Sequence, residues 1–238
     1  MWGDNPPQIL IYSSHATGIK QKGGMNVKIW IRLTRKENLA HFGAQKGDIV
    51  PLDLDGEYLP VCIASEVYES DSRTPMEAKK AQAIAARTYA LIHANNGVAI
   101  DDTANYQAYK WIDPAVIPNS ARASEITAGE VLFYGDSMIT AWYSNSNGGR
   151  TRRSDEAWRV YKPWTAAQDD PWDVAARAKW GECKASHGVG MSQMGAAYAA
   201  STGAGYREIL AFYYPGTRIH ALSMGKQPVT VPGFICDH

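Results

Sequence analysis

The densest chemistry of this chain lies in His187-Gly-Val-Gly-Met-Ser-Gln-Met-Gly195, which runs into Ala196-Ala-Tyr-Ala-Ala200. Glycines at close spacing let a backbone turn sharply or approach a ligand, and a helix that starts just beyond them offers free N–H groups. The run reads as one wall of a binding cleft, with His187 and Gln193 lining it. His187 has the type of a general base and Ser192 that of a nucleophile. No orienting third residue is fixed by spacing, however, and a hydrolase triad is defined by geometry rather than chain order. A second polar run, Ser144-Asn-Ser-Asn-Gly-Gly-Arg-Thr151, is dense in hydroxyls, amides and glycine. It is either a functional loop or a mobile tip. Arg87, set among alanines and Tyr89, needs a partner, which a structural carboxylate or a ligand would supply equally well. Asp169-Asp170-x-x-Asp173 has the composition of a cation site, although a solvated turn before Pro171 explains it more simply. Cys183-x3-His187 and Cys236-x-His238 do not match structural zinc spacings. No metal and no cofactor are expected.

Regular elements must hold these groups. Val27 to Leu33 alternates as a half-buried strand should, and Gln8 to Tyr12 and Ile49 to Leu54 read as further strands, the latter ended by an Asp55-Gly56 turn. His15 and His41 lie in polar stretches and read as surface residues. The clearest helix is Pro75 to Ala94, with Thr74 as N-cap, Glu77 completing a capping box, and Ala78, Ala81, Ala85, Thr88 and Ile92 on one face. Asn95-Asn-Gly97 ends it. A helix over Ser120–Ala128 precedes a hairpin, Val131 to Tyr134 and Met138 to Tyr143 about Gly135-Asp136. Helices over Ser192–Ser201 and Tyr206–Tyr213 follow, and the last stretch, 221–238, reads as a tail.

The chain has 238 residues, enough for a large core without disulfides. Lys plus Arg and Asp plus Glu are 24 each, so no global field draws the protein to nucleic acid or to an anionic membrane. No apolar run is long enough for a membrane span, and Met1-Trp-Gly-Asp-Asn-Pro-Pro7 does not read as a signal peptide. With 8 Trp and 13 Tyr against 4 Phe, the aromatic set suits a wet groove for sugar rings as well as an ordinary core. The fold expected is α+β: a single mixed domain with a β-rich N-terminal portion (1–47) and several helices lining a binding cleft, which the resemblance described next implies is glycan-binding.

Glu77-Ala-Lys-Lys-Ala-Gln-Ala-Ile-Ala-Ala-Arg-Thr-Tyr-Ala90 resembles the signature helix of the stage II sporulation protein D family, which includes amidase enhancers. Ile126 to Tyr134 and Thr140 to Thr151 resemble its central segment, and His187 to Ala196 and Ile209 to Thr217 its last two. Four segments in family order, over roughly 48–220, are far more specific than one glycine-rich motif. The resemblance implies a peptidoglycan lytic transglycosylase that cuts between N-acetylmuramic acid and N-acetylglucosamine and leaves a 1,6-anhydro end on peptide-free strands. It places the catalytic glutamate at Glu66, in Ser65-Glu66. The stretch Val67 to Thr74 is longer and more polar than the family pattern, and Glu69 within it is the weaker candidate.

A single acid suffices for such a reaction. The C6 hydroxyl of the substrate attacks within the same sugar, so proximity replaces the second carboxylate and the water of an ordinary glycosidase. Glu66 must start protonated, and its neighbours Val61-Cys-Ile-Ala64 and Val67-Tyr68 suit a raised pKa. Read without the resemblance, Glu66 is a strand-end glutamate paired with Arg87 or Lys80. Arg87, Tyr143, Ser144, Ser146, Thr151, His187 and Gln193 are the expected substrate-binding set, with Tyr143 or Trp158 stacking on a ring. Glu66, Arg87 and the 144–151 and 187–195 loops should then share one groove. The expected partners are glycan strands and a cell-wall amidase, outside the cytoplasm. The competing functions are a non-catalytic, peptidoglycan-binding amidase activator and a wall-binding or wall-lysing part of a phage tail.

Overall fold

The structure, a computed structural model, describes residues 8–9, 27–94, 98–184, 186–222 and 229–230. Gln8–Ile9 (β1) pairs antiparallel with Val229–Thr230 near the other end of the chain. The strand expected to reach Tyr12, His15, the Asn95-Asn-Gly97 stop, and most of the tail including Cys236 and His238 lie outside the described residues. Lys28–Arg32 (β2) turns Ile29 and Ile31 inward and alternates as expected. A helix that the polar sequence did not announce, Lys36–Phe42 (α1), follows and ends at Gly43 in the left-handed conformation. Ile49–Asp53 (β3) pairs antiparallel with β2, Ile31 opposite Val50.

After β3 the chain departs from the strand-and-turn reading. Asp53 accepts a hydrogen bond from the Gly56 amide (2.7 Å), and Leu54–Tyr58 coils as a π turn into a helix, Leu59–Glu66 (α2). Short apolar runs are the case where periodicity does not separate helix from strand. Pro60, in the first helical turn, tips it to helix. Glu66 therefore ends a helix rather than a strand.

The alanine-rich helix spans Met76–His93 (α3). Its expected capping box does not form. Pro75 is the extended entry residue, the Thr74 carbonyl accepts from Lys79 Nζ, and Glu77 accepts instead from the Tyr206 amide and from Lys80. Ile100–Asp101 (β4) adds parallel to β2, giving the order β3-β2-β4. Pro118–Ile126 (α4) precedes Glu130–Tyr134 (β5), which turns at Gly135-Asp136 into Ser137–Met138 (β6). The second strand of the hairpin stops there. The chain leaves the sheet and reappears as Tyr143–Ser144 (β7). Ser154–Trp158 (α5) and Pro171–Trp180 (α6) lead to Met191–Ser192 (β8), which pairs parallel with β7. Gln193–Ser201 (α7) and Tyr206–Tyr213 (α8) fall where expected, and Arg218–Ala221 (β9) completes β6-β5-β9.

Two apolar clusters carry this mixed α+β fold. The first gathers β2, β3 and α2, including Ile29, Ile31, Leu59 and Ile63. The second gathers α7, α8 and residues 139–141, including Ala196, Ile209, Leu210 and Tyr214. Helix α3 belongs to both: Ala83, Ala86 and Ala90 face the first, Ala81, Ile84 and Ala85 the second. Its burial on two sides is wider than the single stripe read from the sequence, and alanine is what allows both neighbours to approach closely.

Candidate active site

Helix α2 delivers Glu66 at its carboxyl end, where Val67 turns to extended backbone. The irregular segment 107–110 fixes it there. Ala108 donates its amide to Glu66 Oε1 (2.8 Å), while the Ser65 hydroxyl bonds both the amide and the carbonyl of Lys110 (3.2 and 3.3 Å). Gln107 backs this segment, accepting from the Tyr58 hydroxyl (3.1 Å) and donating to Tyr143 Oη (2.9 Å). From the other wall Gln193, in the first turn of α7, donates Nε2 to Glu66 Oε2 (3.2 Å). Residues 127 positions apart thus meet across one groove.

Burial raises the Glu66 carboxyl above its ordinary range; the hydrogen bonds from Ala108 and Gln193 and the field of Arg35 oppose it without reversing it. The negative end of α2 acts in the same direction as burial. Neither Arg87 nor Lys80 pairs with it. The groove holds about 250 Å³ and is lined by Glu66, Tyr68 and Arg73 on one side, and by Asn145, Trp180 and Gln193 on the other. Cys183 and Met194 also reach it, their sulfurs 3.2 Å apart.

Several residues expected to bind substrate are placed elsewhere. Arg87 is fully buried: Nε donates to Asp55 Oδ1 (2.7 Å), and the guanidinium also bonds the carbonyls of Ser124 and Glu130. Of the two partners open to it, the structural carboxylate is present, and Arg87 ties α3 to α4 and β5. Ser146 is buried against Asp173 (2.9 Å), and Thr151 donates to the Ala166 carbonyl (2.7 Å). Ser144 is buried in the bridge between β7 and β8. His187 has both ring nitrogens engaged, Nδ1 accepting from the Val189 amide (3.1 Å) and Nε2 facing the Tyr143 carbonyl (3.2 Å). Burial lowers its pKa, so it is a neutral strut and not a free base. Tyr143 lies behind Glu66 and bonds Gln107; Trp158 packs on Trp142 and His187. Of the expected set, Glu66 and Gln193 share the groove, and the 144–151 loop contributes through Asn145. Glu69 is occupied elsewhere, accepting from the Asn119 and Ser120 amides at the start of α4.

The glycines of the 187–195 run serve the protein's own packing. A Cβ on Gly190 would sit 2.0 Å from the Trp142 carbonyl oxygen, and one on Gly195 2.1 Å from the Tyr213 hydroxyl. Ser192 caps α7, accepting from the Gly195 amide (3.0 Å) and donating to Asp173. In the acidic run Asp169 stays exposed and pairs with Arg150 (3.0 Å), while the other two aspartates do not form the solvated turn. Asp170 and Asp173 are fully buried. Asp173 collects Ser146, Gly149 and Ser192; Asp170 collects the Asn147 amide group (2.7 Å) and the Tyr213 hydroxyl (2.8 Å). This pair holds the 146–149 loop, α6, α7 and α8 together. Its signal was legible in part: Asp170-Pro171-x-Asp173 is a helix start, with Asp170 accepting from the Asp173 amide (3.0 Å).

Comparison with known proteins finds similarity over the segment that carries Glu66. The profile of the family described as Stage II sporulation protein (SpoIID) matches residues 46–134. The Amidase enhancer of Bacillus subtilis (strain 168) is 42% identical over 101 residues, 41% of this chain and 13% of that protein. The Stage II sporulation protein D of the same organism is 28% identical over 147 residues, covering 54% and 41%. That of Bacillus amyloliquefaciens is 30% identical over 142 residues, covering 52% and 40%. The chain spans less than half the length of each of these relatives. The matched segment includes Glu66 and α3, and over it the chain is similar to the SpoIID family.

Proposed function

We propose that the protein is a peptidoglycan lytic transglycosylase with Glu66 as its single acid and base, acting outside the cytoplasm at the cell wall. The observation that carries this reading is a carboxyl that burial favours in its neutral form, held at the junction of two walls by Ala108 and Gln193. A protonated Glu66 gives its proton to the glycosidic oxygen that leaves with N-acetylglucosamine. The C1–O bond of the muramic residue breaks, its C6 oxygen bonds to C1, and Glu66 takes the C6 hydroxyl proton, so the acid ends as it began. Gln193 orients the carboxyl, while Asn145 and the faces of Tyr68 and Trp180 offer polar and stacking contacts to the sugars. The catalytic unit spans about 48–220, with flanking portions on either side.

Incubation with peptide-free glycan strands should yield 1,6-anhydro ends by mass spectrometry, and E66Q should lower the rate at least about a hundredfold. Absence of anhydro ends, or an E66Q variant as active as wild type, overturns the assignment. The 42% identity to the Amidase enhancer supports a second reading: a glycan-binding activator of a cell-wall amidase. In that case E66Q still binds strands, and the protein accelerates an added amidase without cutting glycan itself.

A further inference from the structure

A cluster of uncharged polar groups, drawn from separate stretches of chain, lies behind Glu66. Gln107 is its centre, with a side chain 1% exposed and an amide engaged at both ends. Oε1 accepts from the Tyr58 hydroxyl (3.1 Å), and Nε2 donates to the Ala86 carbonyl (3.1 Å) and to Tyr143 Oη (2.9 Å). Turned over, the amide would set its oxygen against the Ala86 carbonyl, so its orientation is fixed. Tyr58 comes from the π turn, Ala86 from α3 and Tyr143 from β7. The Tyr58 ring also stacks on Tyr109, with centroids 5.3 Å apart and planes 9° apart. The peptide that joins Gln107 to Ala108 is therefore held from both sides. Its N–H is the one that reaches Glu66 Oε1 (2.8 Å). The Ala108 methyl has no polar atom with which to place that donor.

We infer that Gln107 is a positioning residue for Glu66: clamped by Tyr58, Ala86 and Tyr143, it fixes the Ala108 amide on Oε1 and thereby directs the carboxyl proton to Oε2. The consequence for chemistry rests on the reading of Glu66 as the acid. A backbone N–H donates and never accepts, so Oε1 is held as an acceptor whether Glu66 is charged or neutral. In a neutral carboxyl the carbonyl oxygen is the better acceptor, which leaves the hydroxyl to Oε2. Oε2 meets the Gln193 amide across the groove (3.2 Å), and that amide can donate to the carboxylate or, turned over, accept from the acid. The cluster positions without adding charge. Burial holds the Tyr58, Cys62 and Tyr143 groups above their ordinary ranges, so all three stay neutral behind Glu66. The charged groups facing Glu66 from elsewhere are Arg35, whose field reaches it, and Arg73 and Glu182 in the groove lining.

The test follows the Glu66 carboxyl by carbon-13 NMR in protein made with labelled glutamate, its signal assigned by E66Q, beside a pH–rate profile on peptide-free strands. The Ala108 hydrogen bond lowers the Glu66 pKa against burial, so losing it raises that pKa. An acid that must start protonated loses activity as pH rises through its pKa. Q107M keeps the length of the side chain and none of its polar atoms. It should raise the Glu66 pKa, move the alkaline limit of kcat upward with it, and lower kcat about tenfold with KM changed less than about twofold. Y143F leaves the bonds to Tyr58 and Ala86 in place and should move the same quantities the same way by less. A residue that merely supports the fold lowers the amount of active protein in thermal melts and leaves the Glu66 pKa and the alkaline limit unmoved. That result overturns the inference. Should Q107M not fold, Y58F and Y143F decide: a raised Glu66 pKa in either supports the inference, and an unmoved one in both overturns it. A raised pKa in a protein that makes no anhydro ends sinks the catalytic reading alone. Anhydro ends with the Glu66 pKa unmoved sink this inference alone.

Discussion

Glu66 is a carboxyl whose neutral form the fold favours, and this has a consequence for stability as well as for chemistry. Its folded pKa is raised, chiefly by burial. Its contribution to stability is therefore fully present below the unfolded pKa and is lost as pH rises through the folded value. E66Q, which carries no charge at any pH, should gain melting temperature over wild type as the buffer moves from about pH 4 to about pH 8. A constant offset across that range would contradict the burial argument. The neighbouring Glu69 gives the contrasting case. E69A should cost about 1 kcal/mol, as loss of a helix cap does, while leaving the chemical step intact in single-turnover kinetics. Arg87 differs from both. R87M leaves Asp55 buried without its cation and should cost about 3–5 kcal/mol in denaturant unfolding. Sequence reasoning reached Glu66 through a resemblance and placed Arg87 in the cleft with it. What it lacked was Asp55, which stands 32 positions earlier and shows its carboxylate to Arg87 only once α2 and α3 are packed.

At the scale of elements, α8 and nearly all of α7 were legible because propensity, capping and punctuation agree there. Ser192 caps α7, and Pro215-Gly216 follows α8. Helix α2 was not legible, because its apolar run fits strand and helix equally; the π turn before it, together with Pro60 in its first turn, settles the matter. In the 144–151 loop the residue types were read correctly and their direction was not. Ser144 and Ser146 point inward and Asn145 outward, the alternation of extended backbone, and choosing the outward member required knowing that Asp173 lies beneath. That buried pair of aspartates makes a prediction at this scale. D173A removes the acceptor for Ser146, Gly149 and Ser192 and should cost about 3 kcal/mol. Hydrogen exchange should rise in the 146–149 loop and the first turn of α7 together, because one carboxylate holds both. Exchange confined to one of them would show that the loop and the helix are held independently.

The molecule as a whole divides its groove between two apolar cores. Glu66 belongs to the first through α2, Gln193 to the second through α7, and α3 lies between them in contact with both. The matched segment 46–134 contains the acid and α3 but not Asn145, Trp180 or Gln193, so the opposite wall comes from the remainder of the chain. The thickness of α3 therefore acts as a spacer gauge. The gap across which Gln193 meets Glu66 is set by alanines that never touch a ligand, on a helix that contributes nothing to the groove surface. A85L should show this directly: overpacking costs about 1–3 kcal/mol, and the affinity for glycan should fall by more than the unfolded fraction accounts for. The tolerance of this site is thus written in methyl groups inside the protein, and the width of the cleft can be altered without changing any residue that lines it.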